Sequence, residues 1–187
     1  MSLKHGILGL LSLRPMAGYD LMKAFNTSLK HFWSAQSSQI YRELDALVAE
    51  GWIKADEVLQ RGRSTKTIFA VMDEGSKEFD RWLREGKLER GGSRNPFLLR
   101  LFFLSGAGIG AVRTAVQEKA SLAEAGAAEL RVIVNDVIPR IAASVGDELA
   151  AMCWKEAAEY GIAQYEAEIR WAEAFLARIG ALKGEIG

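Results

Sequence analysis

Five polar side chains stand together at the start of one helical stretch: Ser37, Ser38, Gln39, Tyr41 and Arg42. Three cations follow: Arg61 and Arg63 within the turn QRGRST and Lys66 directly after it. The first group has the chemistry of a surface that reads duplex DNA. A glutamine amide can make paired hydrogen bonds to adenine, hydroxyls can bond phosphate oxygens, and an arginine can reach guanine or phosphate. The second group would meet the phosphate backbone or the minor groove. Taken singly, each residue reads equally well as a helix cap or a solvated turn. Their order along one segment is what points to DNA.

Such residues need elements that hold them out. Leu3, Ile7, Leu10 and Leu11 recur at helical spacing, so a first helix is expected over 2–13, with Ser2 as its N-cap and Pro15 as its stop. Leu21, Met22, Phe25 and Leu29 predict a second over 19–30. Ile40, Leu44, Leu47 and Val48 predict a third over 37–50, ended by Gly51 in a left-handed conformation. The period then changes. Residues 52–58 and 66–72 are rich in β-branched and aromatic types and predict a hairpin. Asp73 is placed to cap a fourth helix over 74–87 that carries Phe79, Trp82 and Leu83. Three helices followed by a hairpin is the order of a winged helix-turn-helix. The expected fold is mainly α with a small two-stranded β wing.

The second half has no strand signal. A break comes at RGGSRN, 90–95, with the linker read at 91–95, and Asn95 with Pro96 reads as an N-cap and first turn of a short apolar helix ending near 106. One long helix is expected over 110–138, ended or kinked by Pro139, and another over 147–182, roughly 50 Å long. The last helix repeats apolar residues at alternating threes and fours: Ala151, Trp154, Ala158, Ile162, Tyr165, Ile169, Ala172, Leu176 and Ile179. That is a coiled-coil seam. Short helices of the same chain could not cover it, so Trp154, Ile162, Tyr165, Ile169 and Leu176 are expected to contact a second copy. The domains are then 1–90 for DNA binding, 91–95 as linker and 96–187 for dimerisation.

Composition sets bounds. The 187 residues carry 24 Lys/Arg against 24 Asp/Glu, which argues against a polycation that coats nucleic acid but leaves room for a local basic face. Residues 1–72 hold nine Lys/Arg and six Asp/Glu, whereas residues 91–187 hold ten and twelve. The single cysteine, Cys153, allows no internal disulfide and suits a reducing compartment; its place on the flank of the seam reads as interior and inert. The N-terminal apolar run is too short to span a bilayer, and no other run is expected to do so. The chain is expected to be cytoplasmic, with no membrane partner.

Two other classes compete. An enzyme has little to work with: His5 reads as a surface or packing histidine, and His31 as a cation at the end of the second helix. Neither has a Cys, Ser or Asp partner at motif spacing. GAGIG at 106–110 follows a helix instead of a strand, so it reads as a helix–helix turn and not a nucleotide loop. No metal or cofactor is expected. A winged helix that binds protein is the other alternative, because one fold serves both uses. Trp33, Trp154, Trp171 and the group Phe97, Phe102 and Phe103 could line an aromatic pocket, but aromatics at helical spacing are more often core or interface.

These residues bring a resemblance into view. HGILGLLSLRPMAGYDL, IYRELDALVAEGWI, FAVMDEG and the following EFDRWL resemble the PadR family of transcriptional regulators; NPFLLRLFFL and YGIAQYEAEIRWAEAFL resemble its dimerisation region. The resemblance covers nearly the whole chain. It implies a homodimeric DNA-binding regulator, usually a repressor, held by its C-terminal helices, with double-stranded operator DNA as partner and, in some members, a small aromatic effector. It makes Tyr19, Ser38, Gln39, Tyr41 and Arg42 DNA-facing candidates, with Arg61, Arg63 and Lys66 from the wing. Arg42 stands where proline is frequent in the family, so base preference does not carry over; Met72 and Asp73 replace the usual residues before Gly75, so capping of the next helix is expected to rest on Asp73.

Overall fold

Helix α1 is Leu3–Leu13, and Pro15 follows it as a residue that cannot extend it. The computed structural model describes residues 3–31, 33–58, 65–85 and 95–182. The chain divides into two compact units, Met1–Arg90 and Gly91–Gly187. The linker expected at 91–95 lies outside the described residues except for Asn95, as does the Ser2 cap.

In the first unit, α1 is followed by strand β1 (Met16–Ala17), helix α2 (Gly18–Ser28), helix α3 (Ser37–Ala49), strands β2 (Ile53–Val58) and β3 (Lys66–Val71), and helix α4 (Asp73–Glu85). The apolar stripes meet in one core. Ile7, Leu8 and Leu11 of α1, Leu21 and Phe25 of α2, Ile40, Leu44 and Leu47 of α3, and Ile53 of β2 are each at most 1% exposed. Fully burying a side chain of this kind contributes about 1.5–3 kcal/mol.

The sheet has three strands where a two-stranded wing was expected. Its order is β1-β3-β2, antiparallel throughout, with Met16 opposite Phe69 and Ile53 opposite Val71. β1 is only two residues long, too short for alternation to register in a sequence. It ties the start of α2 to the wing.

Two glycines allow the close turns. Gly51 has φ +72°; its N–H donates to the Val48 carbonyl, and the Trp52 N–H donates to Leu47, closing α3. Gly75 lies against the Trp52 carbonyl oxygen, where a Cβ would collide with backbone. The Trp52 carbonyl also accepts from the Met72 N–H at 2.8 Å, so α4 starts tight against the wing root. α4 begins at Asp73 itself, which places Asp73 and Glu74 in its first turn, where the helix dipole favours anions.

His5 is 7% exposed, a packing residue of α1. Its ring stacks on Trp82 of α4 at 4.6 Å, and Nε2 lies 3.3 Å from Glu78 Oε1. Burial lowers its pKa below the ordinary value. Glu78 is itself gripped by Arg81 through two bonds of 2.7 and 2.8 Å, which hold its carboxyl below the usual carboxylate range.

The second unit holds helix α5 (Pro96–Phe103), a 3₁₀ turn (Leu104–Ala107), helix α6 (Gly108–Val132), a π-helical turn (Ile133–Val137), helix α7 (Ile138–Val145) and helix α8 (Glu148–Leu182). Asn95 caps α5 as expected, its Oδ1 accepting from the Leu98 N–H at 3.1 Å. The helix expected over 110–138 is instead α6, the π turn and α7. Pro139 has no N–H to offer and its ring crowds the preceding turn, so the helix widens before it. Asp147 caps α8 through the Ala150 N–H at 3.0 Å.

α6 and α8 run antiparallel, as Lys119 pairs with Glu168 at 2.6 Å while Leu130 lies beside Gly161. Small residues set their approach: a Cβ on Gly126 would stand within 2.8 Å of three Tyr165 ring atoms. Much of the α8 seam is therefore covered by its own chain, contrary to the expectation that it needs a second copy. Ile162, expected at a contact between copies, is 7% exposed in a cluster with Leu130, Ile138 and Ala158, and Trp154 and Tyr165 pack on that cluster. Ile169 and Leu176 are half-buried, and Cys153 is exposed instead of interior.

The apolar surface left over is elsewhere. α5 buries no residue; Leu98, Leu99, Phe102 and Phe103 are 53, 66, 80 and 69% exposed. Against expectation, the helical run Pro96–Val145 includes an 18-residue window of mean hydropathy 1.3, long and apolar enough by composition to cross a membrane, with none of it buried. Gly108, at φ +85°, breaks the α-helical path within that run. The eight residues of α5 rise about 12 Å, well short of a hydrocarbon core of about 30 Å.

Candidate nucleic-acid interface

The start of α3 is held out by burial behind it. Ile40, Leu44 and Leu47 point into the core, which turns Ser37, Ser38, Gln39, Tyr41 and Arg42 to the exposed side. Tyr41 is 43% exposed and rests across the start of α2, where a Cβ on Gly18 would stand 2.8 Å from its ring and 3.5 Å from Phe69. Gly18 is thus the residue that lets α2, α3 and β3 converge. Beside it Tyr19 is 65% exposed. The three elements expected to meet DNA together do share one corner of the first unit.

Two side chains in that corner are already engaged. Gln39 Oε1 accepts from the Gln36 backbone N–H at 2.8 Å, the back-bond of a helix cap. That bond holds the side-chain amide back against the start of α3. Arg42 donates through Nε to the Ser38 carbonyl at 3.3 Å and remains exposed.

Lys66 is the first residue of β3, opposite Val58 in the strand pair next to the turn. Its Nζ donates to Asp20 Oδ2 at 2.8 Å, an ion pair that joins β3 to the first turn of α2. The bond from Lys66, helped by the charges of Arg14 and Lys23, holds the Asp20 carboxyl below the usual carboxylate range. Asp20 was not singled out from the sequence. The two partners are 46 residues apart, and no local spacing links them. Arg61 and Arg63 lie outside the described residues.

The aromatic residues considered for a ligand pocket fall into different clusters. Trp33 packs on the core of the first unit and lines an open depression with Leu3, Ala35, Gln39 and Arg42. Phe97 meets Trp171 edge-on at 5.9 Å, Phe102 meets Phe103 at 5.0 Å, and Trp154 packs on the Leu130 cluster. Among the described residues no group of three or more His, Cys, Asp or Glu is arranged to hold a metal ion.

Comparison with known proteins adds to this geometry. Residues 7–81 match the Transcriptional regulator PadR-like family, and residues 93–180 match the Virulence activator alpha C-term family. A probable transcriptional regulator of Mycobacterium tuberculosis is 40% identical over 85 residues, 46% of this chain and 45% of that protein. The negative transcriptional regulator PadR of Bacillus subtilis is 36% identical over 103 residues, 55% of this chain and 57% of PadR. The chain thus spans about half the length of the curated relatives it matches. The crystal structure of B. subtilis PadR in complex with operator DNA is similar with a TM-score of 0.76 at 25% identity, covering 95% of this chain and 98% of that one. The same protein in complex with p-coumaric acid has a TM-score of 0.70 at 24% identity, covering 95% and 98%.

Proposed function

We propose that this chain, which carries a domain matching the Transcriptional regulator PadR-like family over residues 7–81, is a sequence-specific DNA-binding repressor that acts as a homodimer. The observation that carries the proposal is the corner where Tyr19, the start of α3 and strand β3 meet, in a fold similar to a PadR crystallised on its operator. Tyr19, Ser37, Ser38, Tyr41 and Arg42 are assigned to bases and phosphates, Gln39 to a base, and Arg61 and Arg63 to the phosphate backbone. Residues 1–90 read DNA, 91–95 link, and 96–187 dimerise.

The face assigned to the second copy is α5, with Leu98, Leu99, Phe102 and Phe103 at its centre, extended by Ile169 and Leu176 of α8. Each of those four side chains would contribute about 1.5–3 kcal/mol on full burial, which supports a protein partner for this surface. Two first units on one base would meet half-sites about 34 Å apart. The reading excludes catalysis and places the protein in the cytoplasm.

The test is fluorescence anisotropy with the DNA upstream of the protein's own gene, against unrelated DNA of equal length, across a salt series. A preference for the upstream DNA with a steep log–log salt slope is expected, about −0.9 for each phosphate neutralised. Absence of binding at low salt by a folded dimer would instead make this winged helix a protein-interaction module. A small aromatic effector belongs to the same proposal; p-coumaric acid is the first to try, and a fall in DNA affinity on adding it is the expected response.

A further inference from the structure

Asp20 is an acid in the middle of a surface otherwise suited to phosphate. It lies next to exposed Tyr19, takes the Lys66 ammonium at 2.8 Å, and sits within the field of Arg14 and Lys23. Asp20 and Lys66 side chains are 44% and 39% exposed, so solvent, ions and an incoming phosphate can all reach the pair. A carboxylate among three cations occupies the kind of position a DNA phosphate would take.

We infer that Asp20 is a specificity-determining residue: it competes with DNA phosphate for Lys66 and so suppresses non-specific binding. While Asp20 holds Lys66, the pair is neutral as a unit and adds no cation to the surface that meets the backbone. The carboxylate also repels any phosphate that approaches Arg14 or Lys23. Phosphate contacts are blind to sequence, so a device that weakens them acts on every DNA, and base contacts are left to decide between sequences. The expectation that Lys66 itself binds the backbone is thereby reversed for the native chain. This inference rests on the proposed DNA-binding reading.

The experiment compares the native protein with Asp20→Asn, Lys66→Gln and the double variant, each on upstream and unrelated DNA between 50 and 200 mM salt. Asp20→Asn frees one cation. Its salt slope should steepen by about 0.9, which is about threefold more affinity lost across that range than the native protein loses. Its affinity for unrelated DNA should rise several-fold at 50 mM, and the ratio of upstream to unrelated binding should fall. Lys66→Gln should leave the native slope unchanged, and the double variant should return to it. A merely structural ion pair would shift melting temperature without this pattern.

Three results overturn the inference. One is an unchanged slope in Asp20→Asn. Another is a slope lowered by about 0.9 in Lys66→Gln alone, which would mean that Lys66 already sits on phosphate. The third is a parallel loss of affinity in both single variants, which would make Asp20 a support that aims Lys66 at DNA. If the native protein binds no DNA at low salt, the DNA-binding reading fails and this inference falls with it; if it binds and the variants behave otherwise, the inference fails alone.

Discussion

Among the described residues, nine of the eleven largest fully buried side chains belong to the first unit and two, Val116 and Leu130, to the second. The first unit closes one continuous core around α1, with helices and wing each contributing. The second unit packs its longest helix mainly on α6, through alanines and glycines that bring the backbones close, with Ile138 of α7 joining the Leu130 cluster, and leaves α5 with no buried residue at all. The contrast teaches where a substitution should be felt. Changes in the first unit act on the folding of a single chain. Changes on α5 act on whatever covers it, which under the proposed function is a second copy.

The sharpest way to break the comparison is Gly75→Ala. The new Cβ meets the Trp52 backbone carbonyl, which cannot move aside as a side chain could. A loss of about 3 kcal/mol is expected from the first unit, seen as a lowered urea midpoint of the wing tryptophan signal. A variant as stable as the native chain would show that α4 and the wing root are not so tightly joined.

Next is the double variant Phe102→Glu with Phe103→Glu. Both side chains are more than two-thirds exposed in the single chain, so chain stability should change by about 0.5 kcal/mol or less. Light scattering should nevertheless give the mass of one chain where the native protein gives two. Equal masses would remove α5 from the dimer face.

A smaller effect is expected from Arg61→Ala with Arg63→Ala. Both stand in the sequence between β2 and β3, and two lost phosphate contacts should flatten the salt slope by about 1.8 while the choice between sequences persists. A changed preference with an unchanged slope would move these residues from backbone to bases.

The smallest effect is acid sensitivity of the first unit. His5 is held below its ordinary pKa of 6.5 by burial, so the unfolded chain takes the proton first. Its contribution is complete above about pH 6.5 and is lost as pH falls from there toward the folded value. Glu78, held low by Arg81, contributes above its ordinary 4.5, and that contribution is lost in a second, lower window as pH falls through the folded value. Urea midpoints should therefore drop between pH 7 and 5.5, and His5→Gln should remove that upper step while leaving the lower one.

Much of the fold was legible because apolar spacing and capping chemistry are local. The stripe of Ile40, Leu44 and Leu47, the left-handed Gly51 and the Asn95–Pro96 start all emerged as expected. What escaped was non-local or too short. β1 is two residues long and exists only because β3 lies beside it. The seam on α8 has a coiled-coil period, yet nothing in that period distinguishes a partner helix of the same chain from one of another copy. Pro139 predicted a disturbance but not the π turn that absorbs it. In the candidate site, polar residue types marked the start of α3. The bond from Gln39 to Gln36 and the ion pair between Lys66 and Asp20 depend on side-chain placement in three dimensions.

Native mass spectrometry of the full chain with upstream DNA tests most directly the idea that a finished reading head is joined to a base completed by a second copy. Two chains per duplex is the expected complex, with two chains also in the free protein. A single chain on the duplex, or a folded dimer that forms no complex at low salt, would contradict it.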